Sequence, residues 1–179
     1  MVTITISGTP GSGKSTVAQL LHEKIKIPYI YSGMLFRQSA EEHNMALEDF
    51  GKYCEENPEI DKELDKKQVE ILKKGNVILE GRLAGWLAYK NKISSVKIAI
   101  TADIKTRAGR IVNREKGEVA KREKEIIERE RSENTRYKKY YNIDLGDFSI
   151  YDLVIDSSDK TPEEIVEIIF QRLKNEKNT

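Results

Sequence analysis

Gly8-Thr9-Pro10-Gly11-Ser12-Gly13-Lys14-Ser15 fits the pattern G-x-x-x-x-G-K-[ST] at every fixed position. The run follows a short β-branched stretch, Val2–Ser7, and leads into Lys14–Lys26, where Val17, Leu20, Leu21 and Ile25 recur at helical spacing. Strand, glycine-rich turn and helix in that order make a phosphate cradle. The glycines let the backbone curl so that successive N–H groups point inward, and the helix N-terminus adds the positive end of its dipole. Gly8 through Lys14, Ser15 and Thr16 are therefore the expected ATP-binding residues. Lys14 would reach the β- and γ-phosphates as a catalytic charge, and the Ser15 hydroxyl would ligate Mg²⁺. The pattern points to nucleoside triphosphate binding and leaves the destination of the phosphoryl group open.

Outward from this cradle, strand and helix signals alternate. Pro28–Tyr31 is a short strand candidate, and Gly33 to about Asn44 reads as helix. Two charged helical stretches follow, about Leu47–Glu56 and Ile60–Lys73. They break at Asn57-Pro58, because the residue before a proline avoids helical angles. Asn76–Leu79 is a strand, Ala84–Lys90 a short helix and Val96–Ile100 a strand. Ile104–Lys116 and Val119 to about Tyr141 are charged helices, and Leu153–Ile155 is the last strand. Pro162 opens a helix whose apolar face is Ile165, Val166, Ile169 and Leu173. The strands read as apolar throughout, the pattern of parallel strands buried on both faces. The prediction is an α/β fold of the P-loop NTPase type: a five-stranded parallel sheet with helices on both faces, in one domain of residues 1–179.

Composition narrows the class. Charged residues make up 34% of the chain, above the usual level of about 25%, yet the net charge is only +1. Bulk electrostatics therefore do not mark a polyanion binder. Cys54 is the only cysteine, so no intramolecular disulfide forms and a reducing compartment is expected. The opening MVTITISGTP has neither a basic segment nor a long apolar one, and no apolar run reaches the roughly 20 residues that span a bilayer. A cytoplasmic protein with no membrane partner is expected.

Arginine content bears on where the phosphoryl group goes. A GTPase would carry an N-K-x-D segment, and Asn91-Lys92-Ile93-Ser94 lacks the aspartate. Instead the chain from Arg82 onward is rich in arginine, with Arg82, Arg107, Arg110, Arg114, Arg129, Arg131 and Arg136. Phosphoryl transfer asks the protein for positioning and charge neutralisation, which arginine supplies. Arg107, Arg110 and Arg114 share one helix face; Arg129 and Arg136 share another, with Glu133 between them. A charged helix face is commonly just solvated, but two such faces in a P-loop chain favour a phosphate clamp. His22 and His43 are not read as catalysts. A hydroxyl acceptor needs a general base, whereas a monophosphate acceptor is already largely ionised near neutrality.

The ordered set GTPGSGKST, YSGMLFR, EGRLAGW, TRAGRIVNRE, RERSENTRY and YDLVIDSS resembles the cytidylate kinase family over almost the full length, and most of all its archaeal branch. The resemblance implies that Ser32, Gly33 and Arg37 hold the acceptor CMP, with Arg37 on its phosphate. It places Arg82 on the same phosphate, and Arg107 and Arg110 beside the donor nucleotide and the lid. Arg129, Glu133 and Arg136 match an R-x-x-x-[DE]-x-x-R pattern. There the arginines approach phosphates, and the carboxylate approaches the acceptor sugar or base. The bacterial branch has an aspartate directly after the GR, on the cytosine-reading side; here the residue is Leu83, so other groups must read the base. The Ser39–Lys74 segment is the candidate source. Glu80 closes the third strand, where it would hold Mg²⁺ through water or order the loop.

The expected activity is ATP–Mg²⁺-dependent phosphorylation of CMP, and of dCMP, by a monomer. Helices within 39–74 would close over the monophosphate. The segment 115–142 would close over ATP as a lid and bring Arg129 and Arg136 to the transfer. Rivals are a small kinase for adenylate, uridylate or a metabolite, and a nucleotide-regulated protein binding nucleic acid through Lys121–Lys139. Glu123, Glu125, Glu128, Glu130 and Glu133 lie within that last segment and would blunt contact with a phosphate backbone, so no nucleic-acid partner is expected.

Overall fold

The computed structural model describes residues 2–177. β1 (Ile4–Gly8) runs directly into the glycine turn, and α1 (Lys14–Ile25) leaves from it. Then come β2 (Tyr29–Tyr31), α2 (Ser32–Glu42), α3 (Leu47–Glu56), α4 (Pro58–Lys74), β3 (Ile78–Glu80) and α5 (Ala84–Lys90). β4 (Val96–Thr101), α6 (Ile104–Glu115), α7 (Val119–Tyr141), β5 (Leu153–Asp156) and α8 (Pro162–Lys177) complete the chain. α4 begins at Pro58 itself, whose missing N–H costs nothing at a first helical position; Glu59 and Asp61 face the helix N-terminus.

The strands form one parallel sheet in the order β2-β3-β1-β4-β5. The chain leaves β1 for β2, returns to β3, then crosses β1 to reach β4. The sheet order therefore reverses at β1, and a crevice opens beyond the C-terminal ends of these strands. The register sets Ile6 and Tyr31 on either side of Glu80, and Gly8 beside Ile100. Glu80 thus arrives at the mouth of the glycine turn.

Both faces are covered. On one, Ile4, Ile6, Ile98 and Ile100 meet Val17 and Leu21 of α1 and Ile165, Val166 and Ile169 of α8. On the other, Leu79 packs with Leu72 of α4 and with Leu83, Trp86 and Leu87. The strands are not uniformly apolar as the sequence suggested. β1 alternates Ile4 and Ile6 with Thr5 and Ser7, all of them buried. The small hydroxyl residues let α5 approach: Ser7 Oγ accepts the Gly85 N–H at 3.0 Å, and a Cβ on Gly85 would come 2.5 Å from Tyr151 Cε1. Burial on both faces, rather than an all-apolar side-chain set, is what parallel pairing requires here.

Two parts extend from this core. Phe50 and Cys54 of α3 cluster with Phe36 and Ala40 of α2 and with Ile60 of α4, apart from the sheet. α7 buries Ile126 and Glu133 within its described span; Tyr137 and Tyr141 near its C-terminal end pack against the Leu79 face of the core, and ion pairs tie the rest. Among the described residues, no helix is long and apolar enough to cross a membrane.

Candidate active site

The cradle has the backbone that its sequence demands. Gly11 and Gly13 adopt φ of 80° and 85°, a region open to glycine at little cost. Gly11 also packs on α6, where a Cβ would stand 2.8 Å from the Arg107 carbonyl oxygen. No side chain caps the N-terminus of α1, so its first amides remain available to an anion. The Thr9 and Ser12 hydroxyls are buried in the same turn without a hydrogen-bond partner. Unsatisfied donors at a helix start, with orphaned hydroxyls beside them, fit a bound polyphosphate.

Lys14 and Ser15 converge on Glu80, which is fully buried. The Ser15 hydroxyl donates to Glu80 Oε1 at 3.0 Å, the Lys14 ammonium lies 3.9 Å from the same oxygen, and the Tyr29 hydroxyl donates to Oε2 at 2.6 Å. Burial lowers the Lys14 pKa, and the Glu80 charge opposes the shift. Burial, then the bond to Glu80, raises the Tyr29 phenol, which stays a donor. No group of three or more metal-ligating side chains occurs among the described residues. The Ser15 hydroxyl beside the Glu80 carboxylate fits Mg²⁺, which is commonly held by one hydroxyl or carboxylate with substrate phosphates and water. Ser15 is the residue that would hold it.

Beside the cradle opens a cavity of about 570 Å³ at the ends of β2 and β3. Lys14, Arg37, Arg82, Arg129 and Arg136 all line it, with Ser32, Gly33 and Glu133. The structure therefore brings together every cation that the sequence assigned to the acceptor. Arg82 sits at the junction: Nη1 donates to the Gly8 carbonyl at 2.8 Å and Nε to Glu133 Oε2 at 2.5 Å. Arg129 Nε donates to the other Glu133 oxygen at 2.8 Å. Burial alone would raise the Glu133 pKa; Arg82 and Arg129 outweigh it and hold the carboxyl below its ordinary range. Glu133 thus fixes two arginines, a role the sequence did not disclose. Arg136 donates to Asp61 of α4 at 3.1 Å, tying α7 to the helix across the cavity. Arg37 has no hydrogen-bond or ion-pair partner among the described residues.

Arg107 and Arg110 lie behind the cradle rather than in the cavity. Arg107 is buried, pairs with Glu130 of α7 at 2.7 Å and reaches the Pro10 carbonyl at 3.5 Å. Arg110 donates to the Ser12 carbonyl at 3.3 Å and to Ser157 Oγ at 2.9 Å. Arg114 points away and pairs with Glu115, so the three-arginine face does not act as one clamp. Sequence reasoning missed Ser157, whose hydroxyl donates to the Ser12 carbonyl at 2.8 Å and pins the turn to the end of β5. It also missed Asp61, Asp65 and Gln68, the α4 groups that line the cavity. One signal was present: Leu64, Gln68 and Leu72 recur every four residues, which puts an amide inside an apolar stripe.

Residues 3–159 match the model of the cytidylate kinase-like family. A cytidylate kinase of Methanocaldococcus jannaschii is 47% identical over 173 residues, which cover 96% of this chain and 97% of that one. A cytidylate kinase of Pyrococcus horikoshii is 44% identical over 166 residues, covering 93% and 85%. Among solved structures, a shikimate kinase from Bacteroides thetaiotaomicron superposes with a TM-score of 0.65 at 15% identity, over 97% of this chain and 98% of that one. An uncharacterised protein of Eubacterium ventriosum gives a TM-score of 0.73 at 18% identity, over 97% and 99%. At such identities these superpositions speak to the fold alone.

Proposed function

The chain belongs to the cytidylate kinase-like family, and from that premise we propose how its cavity transfers a phosphoryl group from ATP to CMP. The observation that carries the proposal is the shared wall. Lys14 belongs to the cradle and also lines the arginine-rich cavity, so donor and acceptor phosphates would meet at one side chain.

In this reading the α1 amides and Lys14 hold the donor polyphosphate, and Arg107 and Arg110 brace the turn from behind. Mg²⁺, when bound, would neutralise charge on the donor phosphates, and the Ser15 hydroxyl, oriented by Glu80, is the side chain that would hold it. Arg37 and Arg82 seat the CMP phosphate, with Ser32 and Gly33 beneath it. Arg129 and Arg136 approach from α7 and neutralise charge on the transferring group. The acceptor phosphate needs no base to take a proton, so positioning and electrostatics carry the step. dCMP, which carries the same base and phosphate, is proposed as a second acceptor.

The segments within 39–74 and 115–142 are the moving parts of this mechanism. The first joins a small apolar cluster of its own, centred on Phe50, that extends back to Phe36 in α2. The second, α7, is held by the Arg107–Glu130, Arg82–Glu133 and Arg136–Asp61 pairs. Ion pairs can exchange for phosphate contacts, while Tyr137 and Tyr141, packed on the core, would stay as the anchor about which the ion-paired part of α7 moves. Closure would exclude water, which otherwise competes as acceptor. We further propose a cytoplasmic monomer that binds no nucleic acid, since arginines of α7 are engaged by internal carboxylates.

Arg37→Ala tests the division into two pockets. The guanidinium is exposed, unpaired among the described residues and remote from the glycine turn in sequence. Its loss is expected to raise the Kd for CMP by about tenfold or more, as for a hydrogen bond to a charged group, and to leave ATP affinity within twofold. Calorimetric titration of each nucleotide decides. Weakened ATP with unchanged CMP would mean that the pockets are reversed.

A further inference from the structure

Gln68 of α4 is only 7% exposed and lines the cavity. Its Nε2 donates to Asp65 Oδ1 at 3.0 Å, and the Tyr141 hydroxyl donates to Asp65 Oδ2 at 2.6 Å. Those bonds orient the amide. Turning it over would set Oε1 against the Asp65 carboxylate, acceptor against acceptor. Oε1 is left shielded from solvent with no donor. It stands at Gly81, where an added Cβ would lie 3.4 Å away, and the Ser32 side chain flanks the same glycine. Buried acceptors are almost always paired, so this oxygen waits for an N–H that the protein does not supply.

Cytosine presents an amine at carbon 4, where uracil presents a carbonyl oxygen. Resting on the reading of this cavity as the CMP site, we propose that Gln68 Oε1 accepts a hydrogen bond from the cytosine 4-amino group, with Asp65 and Tyr141 positioning the amide. The amide takes the base-reading part that Leu83 cannot play. UMP would bring its O4 against Oε1 and leave both acceptors unpaired. Burial raises the Asp65 carboxyl to about 6, with Tyr141 opposing, so it is an ionised acceptor at neutral pH. Asp61 and Arg136 are its other charged neighbours, and their charges oppose each other. The 4-amino group is common to CMP and dCMP, so this contact does not distinguish them.

The test compares kcat/KM at saturating ATP for CMP, UMP and the ribonucleotide of pyrimidin-2-one, which carries only hydrogen at carbon 4. Wild type and Gln68→Leu are measured beside melting curves. Wild type is expected to favour CMP over both analogues by more than about tenfold, the scale set by one buried acceptor left unpaired. Gln68→Leu is expected to bring the ratios to within about threefold while the KM for ATP stays put. Unchanged ratios in folded Gln68→Leu would overturn the proposal. If that variant does not fold, the wild type decides alone: equal kcat/KM for CMP and the pyrimidin-2-one nucleotide overturns it. Asp65→Asn frees the amide to turn, and is expected to lower the CMP-to-UMP ratio of kcat/KM while the KM for ATP stays put. An unmoved ratio removes Asp65 from its positioning role. A wild-type chain inactive on CMP would refute the acceptor reading itself, whereas activity without preference for the 4-amine refutes only the role of Gln68.

Discussion

Lys14→Ala is expected to lower kcat by about 10²–10³-fold in a protein that still folds, the scale of losing one preorganised electrostatic contact, roughly 3–4 kcal/mol. Lys14 lies where the cradle and the cavity meet, 3.9 Å from Glu80 and beside Arg82 and Arg129. Its ammonium would bridge the leaving and transferring phosphoryl groups, so the loss falls on the transition state more than on ground-state binding. The fold does not depend on it, because the α1 residues that pack the sheet are Val17, Ala18 and Leu21. Removing a buried cation also leaves Glu80 to Ser15 and Tyr29, both of which still donate to it. The measurement is kcat at saturating nucleotides together with a melting curve. Near-wild-type turnover in a folded variant would refute the assignment of Lys14.

Arg82→Lys is expected to cost about a hundredfold in kcat, roughly 2.7 kcal/mol of transition-state stabilisation. The charge is kept and the fork is lost. One guanidinium reaches the Gly8 carbonyl and Glu133 together, which ties the end of β1 to α7 while its remaining N–H groups face the cavity. An ammonium is a point donor and cannot hold both ends and a phosphate as well. Stability is expected to change little, since Arg129 still pairs with Glu133 and keeps that carboxylate compensated. Turnover within threefold of wild type would show that Arg82 only fastens α7, and would separate that structural part from catalysis.

The cradle was legible because its chemistry belongs to the backbone. Gly11 and Gly13 sit where positive φ is needed, and the strand before and the helix after them are local patterns. The sheet was legible for the same reason, although the hydroxyl face of β1 shows that burial on both sides does not require apolar residues on both. The arginines were harder. Helical spacing put Arg107 and Arg110 on one face correctly. It could not say that the face turns toward the Pro10 and Ser12 carbonyls. Arg136 and Asp61 meet across 75 residues of chain, and Tyr141 and Asp65 across 76. Such pairings depend on how α4 and α7 dock, which no local period encodes. Glu133 was noticed as a carboxylate between two arginines, but its hold on Arg82 depends on β3 arriving beneath α7. The Ser39–Lys74 segment, expected to supply base-reading groups, contributes Asp61, Asp65 and Gln68 to the cavity wall, and which of them meets the base depends on how α4 docks.

ADP release measured across the common ribo- and deoxyribonucleoside monophosphates decides whether the arginine-rich cavity takes CMP as phosphoryl acceptor. With ATP and Mg²⁺ saturating, CMP and dCMP are expected to give the highest kcat/KM. UMP and AMP should fall at least about tenfold below them, as when one buried hydrogen-bond partner is missing or the base does not fit. Preference for AMP or UMP, or release of ADP only with a hydroxyl acceptor such as shikimate, would contradict the account.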